Sequence, residues 1–227
     1  MDDLMPNRRA LIAGAAVAAA AAVAAPGVAA PAKPQARPLP FDPAAVPGLS
    51  EKLLRSHYDN NYTGAVNRLG AISAEVSGLD MATTPGYRLN GLKREELIAW
   101  NSMILHEVYF AGLVPMERPS GGLAQAVERD FGSHDRWAAE FAAMGKALGG
   151  GSGWVLLAWS RRDARLVNTW AADHTMTLAD GAPLLALDMY EHAYHLDYGA
   201  KAGAYVDAFM KVVSWKHANE VFRKAAT

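Results

Sequence analysis

Residues 183–195 read Pro183-Leu184-Leu185-Ala186-Leu187-Asp188-Met189-Tyr190-Glu191-His192-Ala193-Tyr194-His195, and the change of texture at Asp188 decides how the chain is built. Leu184 to Leu187 is short and continuously apolar, bounded by Pro183 and Asp188, the pattern of a buried strand. From Met189 to Leu196 the chain is expected to turn helical. A carboxylate directly after a buried strand is costly unless it is paired or coordinated. If Met189 opens a helical turn, His192, four residues after Asp188, points to the same side. An oxygen and a nitrogen donor then converge at the mouth of the strand. The spacing alone leaves two alternatives: a helix-capping Asp with a histidine beside it, or part of a metal site.

Upstream of this stretch, Trp154–Trp159 and Arg165–Trp170 read as strands around an Arg-Arg-Asp turn, after the loop Gly149-Gly150-Gly151-Ser152-Gly153. Leu123 to Phe131 and His134 to Leu148 read as short helices, and Lys201 to Val212 and Trp215 to Ala225 as the closing ones. A soft break at Pro115 to Gly122 precedes this mixed half. Before the break, Ser50 is a plausible N-cap with Glu51 in the first turn. Apolar residues then recur at helical period to about Ser77-Gly78. A second helix is expected from about Leu92 to Leu113, and the loop containing Thr84-Pro85-Gly86 folds the two into an antiparallel hairpin. The fold class is therefore α+β: a long N-terminal antiparallel α-hairpin, residues 49–115, and a C-terminal mixed domain, residues 121–227, with a small antiparallel sheet of about three strands flanked by helices.

The chain has 227 residues, the size of one domain or two small ones. Lys plus Arg is 22 and Asp plus Glu is 23, a formal charge of −1, which leaves no electrostatic footprint for nucleic acid. Cysteine is absent, so a disulfide framework, a thiolate metal site and a cysteine nucleophile are excluded. Residues 1–30 read as an export signal: Arg8-Arg9, an alanine-rich apolar run, and Val28-Ala29-Ala30 as small residues before Pro31. A cleaved twin-arginine signal is favoured over an uncleaved anchor, because alanine is weakly apolar and the run is short for a span. A soluble helix is disfavoured by Pro26 and Gly27. The mature protein is expected to be periplasmic or secreted, without stable membrane association. Residues 31–48 form a proline-rich extended arm.

Of the seven histidines, His134 and His217 sit among charged residues and are expected in solvent. His57, His106 and His192 lie in apolar surroundings, where a single buried histidine is more often a hydrogen-bonded core residue than a ligand.

Asp188-Met189-Tyr190-Glu191-His192-Ala193-Tyr194-His195 resembles the Asp-x-Trp-Glu-His-Ala-Tyr-Tyr signature of the iron/manganese superoxide dismutases. Further blocks agree in the same order. His57-Tyr58-Asp59-Asn60-Asn61 through Asn67 resembles that family's first-ligand helix, and His106-Glu107-Val108-Tyr109-Phe110 its second-ligand stretch. Gly151-Ser152-Gly153-Trp154 is similar to the start of its first strand, and Tyr205 through Trp215 to its C-terminal helices. The resemblance covers roughly Leu39 to Ala225. It implies one iron or manganese ion per chain, bound by His57, His106, Asp188 and His192, a donor set without thiolate that suits those metals. It implies disproportionation of superoxide to dioxygen and hydrogen peroxide by redox cycling of that ion. It makes His174 the residue that hydrogen-bonds to the metal's solvent ligand, and Trp154 and Tyr190 an apolar wall. It places Glu191 at a homodimer interface.

Three positions depart from the family pattern. Ala65 stands eight residues after the first ligand, where a gating tyrosine is usual. Asn61 replaces a histidine, and His195 replaces the tyrosine that meets it from the other subunit. Ala65 donates no proton, so turnover is expected to be slower or its proton to come through water. The second reading is therefore a metal-binding relative with little turnover, and the third a structural α+β domain with core histidines.

Overall fold

The computed structural model of the protein describes residues 32–226. The expected leader, residues 1–30, lies outside them. Among the described residues no helix is long and apolar enough to cross a membrane. The arm from Lys33 to Leu39 contains no helix or strand. Helix α1 (Glu51–Ser56) starts where the Ser50 hydroxyl accepts from the Leu53 N–H at 3.1 Å. It runs into a π-helical turn, His57–Tyr62, and on into α2 (Thr63–Ser77), which Gly78 ends.

The hydrophobic period predicts one uninterrupted α-helix here, and the π turn is the difference. Residues five apart lie roughly 140° apart around an α-helix, but nearly in line where hydrogen bonds run to the fifth residue. The wider winding is what buries both His57 and Tyr62. Helix α3 (Gly86–Ala111) follows its N-cap Pro85 and starts six residues earlier than the apolar pattern indicates. Its first turns are exposed and carry no buried stripe to read; proline at a helix start has its φ preset for the helix. The hairpin of α2 and α3 closes on a small seam of Leu69, Ile72 and Ala99.

The second half contains α4 (Gly121–Phe131), α5 (His134–Ala147), strands β1 (Trp154–Ser160), β2 (Arg165–Ala171) and β3 (Gly181–Asp188), the one-turn α6 (His195–Tyr198), α7 (Ala202–Met210) and α8 (Lys216–Ala225). The sheet is antiparallel in the order β2-β1-β3, as the α+β reading expects. Every residue of β1 is buried, which explains its unbroken apolar run. The expected helix at Met189–Leu196 is instead a 3₁₀ turn, Glu191–Ala193, followed by α6. Asp188 Oδ1 accepts the Tyr190 N–H at 2.9 Å, and this side-chain turn displaces a helical start.

Register puts Ala171, Trp154 and Asp188 in one row across the end of the sheet. Gly153 makes that end possible. Its φ is +137°, and a Cβ there would lie 2.2 Å from the Ala171 carbonyl oxygen. The two halves are stitched by Val114 N–H to the Val212 carbonyl (3.0 Å) and Ser214 N–H to the Gly112 carbonyl (2.7 Å). At the other pole, Trp137 and Trp215 meet edge to face at 4.5 Å. His134 corrects the expectation of a solvated side chain. Its ring packs 5.3 Å from Trp137 and 5.7 Å from Trp215. His217 is likewise half-buried.

Candidate metal centre

Two helices and one strand end deliver four donors to a single point. His57 opens the π turn, His106 lies near the end of α3, Asp188 is the last residue of β3, and His192 sits in the 3₁₀ turn beyond it. One donor atom from each lies within 4.8 Å of the others. Asp188 Oδ2 is the hub: His57 Nε2 and His192 Nε2 are each 3.1 Å from it and His106 Nε2 is 3.5 Å away. His57, His106 and Asp188 are almost wholly buried, whereas the His192 side chain is 25% exposed. The site therefore touches solvent on the His192 side.

The hydrogen bonding tests whether a cation fits. His106 Nδ1 donates to the Ser102 carbonyl at 2.6 Å. That leaves Nε2 as an unprotonated acceptor in the neutral ring, facing a carboxylate oxygen. Two lone pairs at 3.5 Å repel unless a proton or a cation lies between them. His106 Nε2 and His57 Nδ1 are buried without a hydrogen-bond partner among the described residues. Donor atoms about 3 Å apart are also spaced as neighbours around one ion with bonds of roughly 2 Å. The residues fit a single N₃O-bound metal.

The electrostatics agree. Burial lowers the pKa of His57, and lowers that of His106 to about 3, so both imidazoles are held neutral at ordinary pH, the form that can donate a lone pair. Burial alone would raise the Asp188 carboxyl; the imidazoles of His192 and His57 outweigh it and hold Asp188 well below the usual carboxylate range. The site thus carries one fixed negative charge.

The expected wall residues stand around these donors. The Trp154 ring is 5.3 Å from His106 and Tyr190 is 5.4 Å from His192, stacked. Trp154 Nε1–H donates to His174 Nδ1 at 3.0 Å, which fixes the neutral tautomer with the proton on Nε2. Burial lowers the His174 pKa and pushes Tyr190 up to about 12. A cleft of about 390 Å³ opens beside the donors, with Asn61, Gly64 and Ala65 on one wall and His174, Tyr190 and His192 on the other. A larger groove, about 530 Å³, lies under the N-terminal arm; none of the four donors lines it. Tyr62 belongs to that groove. Its hydroxyl donates to Glu107 Oε1 at 3.0 Å and accepts from the Arg37 N–H at 2.7 Å, so it does not replace the missing tyrosine at Ala65.

Sequence reasoning missed three contributors. Ser102 orients His106 from four residues upstream, a helical spacing that could have been read. Asn101 Nδ2 holds the His174 carbonyl at 2.6 Å. Arg37 ties the arm to the segments that carry His57 and His106, since its carbonyl accepts from Tyr58 Oη at 2.9 Å and its guanidinium meets Glu107 at 2.9 Å. Tyr58 and Glu107 each directly follow a donor histidine, but no local signal links them to Arg37.

The family profile described as iron/manganese superoxide dismutases, C-terminal domain, matches residues 119–221. A superoxide dismutase [Fe] of Cupriavidus metallidurans is 65% identical over 84% of this chain and 97% of its own. A superoxide dismutase [Mn] of Halobacterium salinarum is 36% identical over 83% of this chain and 94% of its own. A superoxide dismutase [Fe] of Aquifex pyrophilus is 32% identical over 81% and 88%.

Proposed function

The chain belongs to the iron/manganese superoxide dismutase family, and from that premise we propose that His57, His106, Asp188 and His192 hold the single iron or manganese ion with which it disproportionates superoxide. The observation that carries this reading is the convergence of three imidazole nitrogens on one buried carboxylate oxygen. The bound metal supplies one-electron exchange: one superoxide is oxidised to dioxygen, and a second is reduced with two protons to hydrogen peroxide. Iron is the favoured occupant, because the relative at 65% identity is named for iron.

The chain's own residues supply the rest. Asp188 contributes a fixed anionic donor, and the Ser102 carbonyl keeps the His106 lone pair turned inward. Trp154 leaves His174 with its proton on Nε2, as a donor for the cleft. Ala65 leaves the α2 side of the cleft without a hydroxyl, so on that side protons enter through water. Trp154 and Tyr190 exclude bulk solvent from the donors. Glu191 is exposed beside His192, which suits a contact with a second copy in a homodimer. The Arg8-Arg9 leader suits twin-arginine export to the periplasm after the metal has been loaded.

Asp188→Ala is expected to abolish metal retention; a variant that keeps one metal per chain contradicts the ligand assignment. Superoxide decay measured per bound metal separates a working dismutase from a metal carrier. Export of a reporter fused to residues 1–30 is expected to stop in a strain lacking twin-arginine transport, and unchanged export removes that route.

A further inference from the structure

The cleft beside the donors has a single formally charged side chain on its walls, Arg68. It sits on α2 three residues after Ala65 and four after Gly64, so the three occupy one face of the helix. Ala65 and Gly64 present almost no side chain between the guanidinium and the histidines on the far wall. The Arg68 side chain is 56% exposed, at the solvent end of this path, and Arg68 pairs with Glu95 on α3.

That pairing does not cancel the charge. Glu95 is shared, since Arg94 Nη1 also approaches it at 3.4 Å. Glu96 is occupied by Lys93. Lys93-Arg94-Glu95-Glu96 sums to zero and Asp173, beside His174, faces Arg94, so the rim as a whole is balanced and what sets Arg68 apart is that its charge alone stands on the cleft wall. A cleft with low-dielectric walls focuses such a charge and raises the encounter rate of an oppositely charged ligand.

We propose that Arg68 is the anion-recruiting residue of the cleft, drawing superoxide and other small anions toward the metal, with Glu95 as the partner that tempers it. The role rests on the dismutase reading for its substrate, but the anion chemistry stands on the cleft itself. It also gives the space vacated at Ala65 a use, because a wide passage with a cation at its mouth favours entry where a bulky gate is missing.

The test uses the metal-loaded protein and two readouts. In the first, kcat/KM for superoxide is followed from low to high ionic strength. Arg68→Gln is expected to lose roughly 10-fold at low salt, the lower end of electrostatic steering. The loss should fade toward about 1 M salt, where the screening length is only about 3 Å. Arg68→Lys should keep most of the rate, and Glu95→Gln should raise it at low salt. In the second, azide binding is titrated by its absorption change. Arg68→Gln is expected to weaken it by a similar factor, with metal content unaltered. An Arg68→Gln protein with the unsubstituted salt dependence and azide affinity overturns the proposal. So does an Arg68→Lys protein as impaired as Arg68→Gln. Absence of turnover in the unsubstituted protein overturns the dismutase reading instead, and the azide arm then decides the role of Arg68 alone.

Discussion

The end of the sheet at Asp188 and the aromatic wedge around Trp137 are equally buried, yet they are held by opposite means. The wedge is apolar contact: Trp137 meets Trp215 edge to face and lies tilted against Phe141, and the Trp137 indole N–H finds Asn168 Oδ1 at 3.1 Å. The sheet end gathers a carboxylate and three imidazoles, and leaves ring nitrogens without partners. His134 sharpens the contrast. Its Nε2 is also buried and unpartnered, but its other nitrogen faces Arg118 at 2.8 Å and its ring lies on tryptophans. An orphaned nitrogen marks a metal site only where other donors point at the same spot. Beside a guanidinium and two indoles it is a packing compromise.

The comparison can be broken at either pole. The largest expected effect is at the sheet end, where loss of the Asp188 carboxylate should empty the site while the fold persists by circular dichroism. Trp137→Ala is expected to do the reverse. It should cost about 3–5 kcal/mol in chemical unfolding, as large-to-small core changes do, with one metal per chain retained. Loss of metal in that variant would show that the two poles are not independent. A smaller effect is expected at His174→Ala: full metal content with a shifted midpoint potential, since residues that tune a metal through hydrogen bonds act without holding it. An unaltered midpoint would remove His174 from that role.

Acid sharpens the comparison further. An unfolded chain protonates His57 and His106 near the ordinary histidine value of 6.5, whereas the folded protein resists until about 3 at His106. Asp188, with its pKa held down in the fold, adds to the loss only as pH nears and passes below the ordinary carboxylate value, at the acid end of the histidine window. In that window the unfolded state binds more protons, so stability falls with falling pH. The urea midpoint of the metal-free protein should drop steadily from pH 7 to 4; a flat profile would contradict the burial argument. The smallest effect is expected at Arg37→Ala. Its guanidinium is exposed and its ion pair with Glu107 should contribute no more than about 1 kcal/mol, read as slightly faster metal loss to a chelator.

What could be read in advance follows from how local each signal is. The strand before Asp188 and the helical period around His57 and His106 depend on neighbours in sequence, and the structure has them. The four-residue step from Asp188 to His192 also brings both to one side, although through a 3₁₀ turn. The π turn carries no residue signature, because its winding answers to what Tyr62 packs against. The start of α3 was invisible because exposed turns have no apolar stripe. Arg68 was named by nothing in its own helix; its meaning depends on the opposite wall of the cleft, from residues more than a hundred positions away. The Arg37 strap is similarly a long-range fact.

The winding at His57–Tyr62 has a consequence for descent. A loop can gain or lose a residue and leave its flanks in place, but a continuous helix transmits any change in count as rotation. The π turn is the exception: six residues at its wider winding turn through about as much as five at ordinary α winding, so it takes in one residue more than a plain helix without turning α2 out of place. Losing that residue would leave Ala65 and Arg68 on the passage and undo instead the in-line placement of His57 and Tyr62. Substitutions such as those at Asn61 and Ala65 alter the wall of the passage and leave that winding untouched.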